Sequence, residues 1–97
     1  MRIDKLLWFL RLAKTRSAAQ ALVGAGHIRL NGKRVERTAQ AVSVGDVMVI
    51  PLHKGVAVIE MLALPQRRGP APEAQSCYRV LDGTVGVPLA APENNSP

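Results

Sequence analysis

The chain has 97 residues, of which 47% are hydrophobic, and a formal net charge of +6. This length suits one domain with a modest core, and the apolar content excludes a chain that is disordered throughout. The single cysteine, Cys77, excludes an internal disulfide and fits a reducing compartment. No apolar run approaches the roughly 20 residues that cross a bilayer, and residues 1–4 do not resemble a signal peptide, so we expect a cytoplasmic protein.

The positive charge is concentrated in the first third of the chain. Residues 1–37 contain two acids, Asp4 and Glu36, and carry a net charge of +7, whereas residues 38–97 carry −1. An excess that served only solubility would be spread more evenly, so its concentration predicts a polyanionic partner, either nucleic acid or an anionic membrane surface. Nine of the thirteen basic residues lie in this third: Arg2, Lys5, Arg11, Lys14, Arg16, Arg29, Lys33, Arg34 and Arg37.

Two helices are predicted at the start of the chain. The first spans residues 3–12, because apolar side chains recur at helical spacing. Trp8 and Leu12 lie beside this apolar stripe, so either a second element covers them or something else binds there. The second spans residues 15–25, with Thr15 or Ser17 as its N-cap and Gly26 beyond its end. Basic residues flank the start of the second helix, where the positive end of the helix dipole disfavours cations. A phosphate bound at this helix start would explain their position.

A small, mostly antiparallel sheet is predicted to follow. Asn31-Gly32 between alternating segments indicates a two-residue hairpin, since both turn positions need positive φ. A strand over residues 47–50 is expected to end at Pro51, and a turn at Lys54-Gly55 leads into a strand over residues 56–62. The predicted fold class is therefore α+β, with two N-terminal helices packed on this sheet.

The C-terminal part is predicted to add one short helix. Residues 71–81 have Ala74, Cys77, Tyr78 and Leu81 at helical spacing, and this helix could cover the Trp8 side of the first helix. Residues 83–97 are rich in Pro, Gly and Asn, which predicts disorder. We divide the chain into a binding domain over residues 1–64, an extension over residues 65–82 and a tail over residues 83–97.

Two groups of cations are candidate binding surfaces. On the helices, acids are almost absent, so intrahelical ion pairs cannot account for the basic residues, and we favour binding over a merely solvated face. Around the hairpin, a tight turn lets backbone N–H groups approach a phosphate while nearby side chains supply charge. The helix group is Arg2, Lys5, Arg11, Lys14 and Arg16. The hairpin group is the turn Asn31-Gly32 with the cations Arg29, Lys33 and Arg34.

Trp8 and Phe9 allow two interpretations. Core packing is the one we favour, and stacking on an unpaired base is the alternative. Enzymatic chemistry finds little support, because His27 and His53 lack partners at metal or triad spacing and the seven acids form no convincing acid–base pair. There is no phosphate-binding loop, nucleophile elbow or paired-cysteine metal site. We therefore predict a protein that is not an enzyme, with no catalytic residues, no metal and no cofactor.

Four blocks of sequence, in order, resemble the S4-type RNA-binding domain, or alpha-L motif. They are Arg2-Ile3-Asp4-Lys5-Leu6-Leu7, then Thr15-Arg16-Ser17 with Gln20, Leu22 and Val23, then Gly26-His27-Ile28 with Leu30-Asn31-Gly32-Lys33, and finally Val44-Gly45-Asp46. Trp8, the strand near residues 56–62 and the segment Gln66-Arg67-Arg68 with Pro70, Glu73, Ala74 and Tyr78 further resemble the heat-shock protein 15 family.

The resemblance implies two helices forming an L against a small sheet, and a ribosome-associated function. It implies recognition of large ribosomal subunits that hold a tRNA with a stalled nascent chain. Asp4 and Asp46 are expected to be structural, in capping and in turn formation respectively. Together with Arg11 from the helix group, the matched positions give these RNA-binding candidates: Arg2, Lys5, Lys14, Thr15, Arg16, Gln20, Arg29, Asn31, Lys33 and Arg34.

The sequence therefore predicts a non-enzymatic monomer that binds structured RNA, in particular ribosomal RNA of the large subunit. An RNA-binding accessory subunit of a separate RNA-modifying enzyme is the alternative, because the same motif occurs fused to such enzymes. DNA and a membrane surface are further alternatives for a basic face. We expect no membrane binding, because the apolar stripe of the first helix is needed for the core.

Overall fold

The computed structural model describes residues 1–52 and 55–82. The predicted turn at Lys54-Gly55 falls partly, and the predicted disordered tail over residues 83–97 wholly, outside the described residues. The elements in chain order are α1 (Ile3–Phe9), α2 (Arg16–Gly24), β1 (Arg29–Leu30), β2 (Lys33–Arg34), β3 (Val47–Leu52), β4 (Gly55–Met61), α3 (Ala71–Gln75) and β5 (Tyr78–Asp82).

The five strands form one antiparallel sheet in the order β2-β1-β3-β4-β5. Helices α1 and α2 pack on each other, and their apolar faces join the buried face of the sheet in one hydrophobic core. This is the predicted α+β class, with two N-terminal helices and a short C-terminal one. No helix within the described ranges has the length and apolar character that crossing a membrane would require.

Helix α1 ends earlier than predicted, at Phe9 rather than at Leu12. The cause is a reversal at Arg11, whose φ of 62° is left-handed. The N–H of Arg11 donates to the Trp8 carbonyl at 3.0 Å, and the N–H of Leu12 donates to the Leu7 carbonyl at 3.0 Å. These two bonds form a Schellman motif, in which glycine usually holds the left-handed position. Without a glycine there, the apolar periodicity continued past the true end.

Helix α2 follows the prediction closely. Thr15 is its N-cap, and the Oγ1 of Thr15 accepts a hydrogen bond from the N–H of Ala18 at 2.9 Å. At the other end, Gly26 has a φ of 83° and lies just beyond the C-cap residue Ala25. A residue without Cβ takes this conformation at little cost, which is why the helix stops there.

The hairpin between β1 and β2 is confirmed. Asn31 and Gly32 have φ angles of 52° and 85°, and Leu30 pairs with Lys33 across the turn. Two successive positive φ angles define the type I′ turn, whose twist matches that of the flanking strands.

The prediction that Pro51 ends the third strand is wrong, because β3 continues to Leu52. The N–H of Val47 points toward β1, since it donates to the Oδ1 of Asn31. Backbone groups alternate between the two sides of a strand, so residue 51 presents its nitrogen to the same side. The pairing of β1 with β3 extends no further than Val49, and the N–H that proline lacks therefore interrupts no ladder bond.

The predicted helix over residues 71–81 is wrong beyond Gln75. Helix α3 stops there, and Tyr78–Asp82 forms β5 on the open edge of β4. Ala74, Cys77 and Tyr78 are buried as their spacing suggested, but burial at that spacing does not require a helix. The free N–H and C=O groups along β4 favour a fifth strand, because a strand edge needs hydrogen-bond partners.

Candidate nucleic-acid interface

Asp4 lies at the junction of the two N-terminal helices and is completely buried. Its Oδ1 accepts hydrogen bonds from the Nε of Arg2 at 3.1 Å and from the N–H of Lys5 at 2.8 Å. Its Oδ2 accepts from the Nη2 of Arg2 and from the Nε2 of Gln20, both at 3.1 Å. The Nε of Arg16 lies 3.5 Å from the same oxygen. Four sequence-predicted binding residues, three of them basic, therefore meet at one carboxylate.

The surroundings of Asp4 keep it ionised. Burial by itself raises the pKa of a carboxyl, but hydrogen bonds from Arg2, Gln20 and the Lys5 N–H, together with the charge of Arg16, lower the pKa of Asp4 to about 2. Arg2 and Arg16 nevertheless keep 48% and 40% of their side-chain surface exposed. The carboxylate thus holds two arginines from the inside while solvent reaches their outer surface.

The segment after the hairpin connects the first helix to the sheet. The Ile3 N–H donates to the Gln40 carbonyl at 2.8 Å, and the Asp4 N–H donates to the Thr38 carbonyl at 3.3 Å. These bonds satisfy N–H groups that a helix leaves free at its start. Gln40 also lines a groove of about 260 Å³ together with Lys33 and Arg34 of the hairpin. The structure therefore places the hairpin cations next to the segment that caps α1.

Asn31 and Asp46 fix the hairpin on the sheet. The Nδ2 of Asn31 donates to the Oδ1 of Asp46 at 3.1 Å, and its Oδ1 accepts from the Val47 N–H at 2.9 Å. The Oδ2 of Asp46 accepts from the Ser43 N–H at 2.8 Å. Asp46 thus forms the turn that the sequence predicted for it. Asn31, predicted as an RNA-binding residue, has its amide engaged within the protein.

The remaining predicted site residues differ in solvent exposure and in their contacts within the protein. Lys14, Arg29, Lys33 and Arg34 are exposed, and none of them forms an ion pair within residues 1–52 and 55–82. The Nζ of Lys5 lies 5.3 Å from the centre of the Phe9 ring. Thr15 is exposed, and its hydroxyl oxygen caps α2.

Arg11 is bound to the C-terminal extension rather than left free. Its Nε donates to the Gly69 carbonyl at 2.7 Å, while Arg68 reaches back to donate to the Trp8 carbonyl at 3.0 Å. The guanidinium of Arg68 also lies 5.8 Å from the centre of the Trp8 ring. Arg68 therefore covers Trp8, and not the C-terminal helix that the sequence suggested for this role. Phe9 is buried, as the core-packing interpretation requires.

Sequence reasoning missed two features of this surface. It treated Asp4 only as a capping residue, although the carboxylate gathers side chains from both helices; its position between Arg2 and Lys5 in an almost acid-free segment was the available signal. It also assigned no role to Arg68. No local pattern links Arg68 to Trp8, since 60 positions separate them.

The chain is similar to known proteins in sequence and in structure. Residues 1–48 match the S4 domain family. Heat shock protein 15 homolog of Haemophilus influenzae is 34% identical over 85 residues, which make up 88% of this chain and 64% of that protein. Small ribosomal subunit protein uS4 of Listeria welshimeri is 47% identical over 49 residues, which make up 50% of this chain and 24% of that protein. The chain thus spans less than two thirds of the length of either relative.

A solved structure is similar over most of the chain. Heat Shock Protein 15 of Vibrio cholerae, whose structure is trimeric, matches with a TM-score of 0.78 and 33% identity, covering 84% of this chain and 81% of that one. Two packed helices, an Asn-Gly hairpin and the antiparallel sheet behind them define an S4-type domain. The strands and short helix that follow extend the likeness beyond that domain. The chain belongs to the heat shock protein 15 family of S4-domain proteins.

Proposed function

We propose that this chain binds structured RNA, without catalysis, through the outer faces of α1 and α2 and the adjoining hairpin. The residues proposed to contact the RNA directly are the exposed cations Arg2, Lys14, Arg16, Arg29, Lys33 and Arg34, with Lys5 at the edge. Thr15, Gln20 and Asn31 support this surface through the helix start, Asp4 and the hairpin turn that they bind. Arg11 instead binds the Gly69 carbonyl of the C-terminal extension.

The observation that carries the proposal is the unequal distribution of partners for the cations. In the described part of residues 38–97, Arg67 pairs with Glu73 at 2.7 Å, Arg79 pairs with Glu60, and Arg68 donates to a carbonyl. Among the proposed contact residues of the first third, Arg2 and Arg16 share the single carboxylate of Asp4. The others, Lys14, Arg29, Lys33 and Arg34, have no ion pair within the described ranges. Unpaired cations grouped on one surface favour a polyanionic ligand, because their mutual repulsion is relieved only when such a ligand binds.

The proposed mode of binding predicts how strongly RNA affinity depends on salt concentration. Affinity comes chiefly from phosphate neutralisation and counterion release, and specificity from RNA shape, because the A-form major groove is too narrow for side chains. If about five cations contact phosphates, the slope of log K against log salt should be roughly −4. Fluorescence anisotropy with a labelled stem–loop RNA measures this slope across a salt series, and a slope near zero would contradict the electrostatic mechanism.

The RNA that we propose is ribosomal RNA of the large subunit, with large subunits carrying peptidyl-tRNA as the assembly recognised in the cytoplasm. Support for a ribosomal target comes from the family, since the relatives include a heat shock protein 15 homolog and small ribosomal subunit protein uS4. The large subunit in particular is proposed from the resemblance to the heat shock protein 15 family. Crosslinking in cells followed by sequencing tests this directly. A peak on large-subunit RNA is expected, whereas reads scattered over messenger RNA would contradict the ribosomal target while leaving RNA binding intact.

Purification from cells separates this proposal from the alternative of an accessory subunit. Sedimentation with large ribosomal subunits supports the proposed function, and a stable complex with an RNA-modifying enzyme supports the alternative. We propose the monomer as the binding unit, as the sequence analysis expected. The relative from Vibrio cholerae is trimeric in its solved structure, so analytical ultracentrifugation of this chain, with and without RNA, is the direct measurement.

A further inference from the structure

Asp4 is the one charged side chain that is buried within residues 1–52 and 55–81. Burying a carboxylate is costly, and similar packing is achieved as well or better by apolar residues of the same volume. Because an apolar side chain could give the fold similar stability at this position, stability alone does not require a carboxylate here. The groups that it gathers suggest another role, since Arg2, Arg16 and Gln20 all belong to the surface proposed to bind RNA.

The geometry leaves both arginines partly available. Arg2 uses its Nε and Nη2 on the carboxylate, so the N–H groups of its Nη1 are not used on Asp4. The Nε of Arg16 lies 3.5 Å from the Oδ2 of Asp4, and that buried nitrogen has no hydrogen-bond partner. Because each guanidinium is a rigid planar group, holding one edge fixes the direction of the others. Two exposed arginine side chains are thus anchored at a single point between α1 and α2.

We propose that Asp4 is a positioning residue for RNA binding, which holds Arg2 and Arg16 side by side so that their exposed N–H groups bind neighbouring phosphates of one RNA strand. This inference rests on the proposed function and specifies the ligand of one part of its surface. Flexible arginines lose side-chain entropy when they bind, and anchoring them beforehand reduces that loss.

Positioning by Asp4 and simple charge counting predict opposite effects of neutralising Asp4 on RNA affinity. Asp4 is an anion within a cationic surface, so counting charges predicts that its neutralisation strengthens RNA binding. Positioning predicts the opposite for structured RNA, because an amide cannot hold two guanidinium groups as a carboxylate does. For a flexible single strand, which adapts to the cations, positioning predicts little loss.

The test compares Asp4→Asn with Glu36→Gln, using purified large-subunit ribosomal RNA and a uridine homopolymer as ligands. Both substitutions remove one negative charge, and Glu36 is exposed with no ion pair in the described ranges. We expect Asp4→Asn to weaken binding of ribosomal RNA about tenfold, in line with losing oriented charged hydrogen bonds. We expect Glu36→Gln to bind as tightly as the wild type or more tightly, and both variants to keep their affinity for the homopolymer.

A second set of variants keeps the charge constant and covers the case in which Asp4→Asn fails to fold. Arg2→Lys and Arg16→Lys retain the cation but lose the planar group that Asp4 orients. Arg37→Lys, at an exposed arginine outside the proposed surface, is the matched control. We expect each of the first two to weaken ribosomal RNA binding severalfold and the control to leave it unchanged. When Asp4→Asn is combined with Arg2→Lys and Arg16→Lys, we expect little further loss of affinity for ribosomal RNA. The reason is that Asp4, if it acts only by orienting the two arginines, has no effect once both are replaced.

Each outcome decides the inference. Asp4→Asn binding ribosomal RNA as tightly as Glu36→Gln overturns it, and so does equal binding by all three lysine variants. An equal loss on ribosomal RNA and on the homopolymer overturns it too, because that pattern indicates a general structural defect. If the wild type shows no preference for ribosomal RNA over the homopolymer, the proposed function fails first and the inference fails with it.

Discussion

The guanidinium of Arg68 lies over the indole of Trp8, 5.8 Å from the ring centre, and its Nε donates to the Trp8 carbonyl at 3.0 Å. One side chain thus both covers the aromatic ring and gives a second hydrogen bond to a carbonyl near the C-terminal end of α1, which also accepts from the Arg11 N–H. A cation at this end of a helix is also favoured by the helix dipole. The contact attaches the C-terminal extension to the N-terminal domain.

Replacing Arg68 with alanine should destabilise the protein by about 1–2 kcal/mol, because a charged hydrogen bond and a cation–π contact are both lost. Trp8 is the one tryptophan in the chain, so its fluorescence reports the change directly. We expect an emission maximum at longer wavelength and easier quenching by iodide. Arg67→Ala is the control, since Arg67 pairs with Glu73 at the surface and not with Trp8. Equal tryptophan spectra for the two variants would contradict this role of Arg68.

Arg11 allows backbone strain to be separated from a side-chain contact. Its φ of 62° disfavours residues with a Cβ, while its Nε donates to the Gly69 carbonyl at 2.7 Å. Arg11→Ala loses the hydrogen bond and keeps the strain, whereas Arg11→Gly loses the hydrogen bond and relieves the strain. We expect the glycine variant to be more stable than the alanine variant by roughly 1 kcal/mol in chemical denaturation. Equal stabilities would show that the left-handed conformation costs nothing at this position.

The sequence predicted best where a local signal and the tertiary structure agree. Asn31-Gly32 specifies its turn by itself, because few residue pairs accept two positive φ angles. Thr15 likewise caps α2 through a hydrogen bond from Ala18, which lies only three positions further along the chain. The helix pair, the hairpin and the α+β class were therefore predictable from short stretches of sequence.

The sequence predicted poorly where distant groups decide the outcome. The segment after Gln75 becomes a strand because the edge of β4 is open to it, and no pattern within residues 71–81 reveals that edge. Pro51 remains inside β3 because β1 ends before reaching it. The joining of Arg16 and Gln20 to Asp4 depends on how α1 crosses α2, which the periodicity of either helix does not specify.

Asn31 should contribute mainly to stability. Its side chain joins the hairpin turn to Asp46 and Val47, so Asn31→Ala removes two hydrogen bonds and places alanine at a φ of 52°. We expect a loss of about 1–3 kcal/mol, measured by thermal or urea unfolding. Asn31→Gly restores the backbone freedom without the amide and should recover part of the loss. A fully stable Asn31→Ala variant would contradict the structural role.

The pH dependence of stability should reveal Asp4. Because its pKa is lowered to about 2 in the folded protein, the ionised carboxylate stabilises the fold at pH values above its unfolded pKa, near 3.8. That contribution, on the order of 2 kcal/mol, is lost as the pH falls from about 4 through 2. We expect Asp4→Asn to be less stable than the wild type at pH 6 and the difference to narrow below pH 3. A constant difference across this range would show that the pKa of Asp4 is not lowered.

The location of charge, rather than its total, should determine RNA affinity. Lys33→Gln with Arg34→Gln removes two exposed cations from the hairpin, and Arg67→Gln with Arg79→Gln removes two cations that pair with Glu73 and Glu60. Both double variants lower the net charge by the same amount. We expect the hairpin variant to reduce the magnitude of the salt slope by about 2, because each lost phosphate contact removes about one counterion released. The other variant should keep the wild-type slope. If both variants shift the slope equally, RNA binding depends on net charge alone, and the hairpin is not part of the interface.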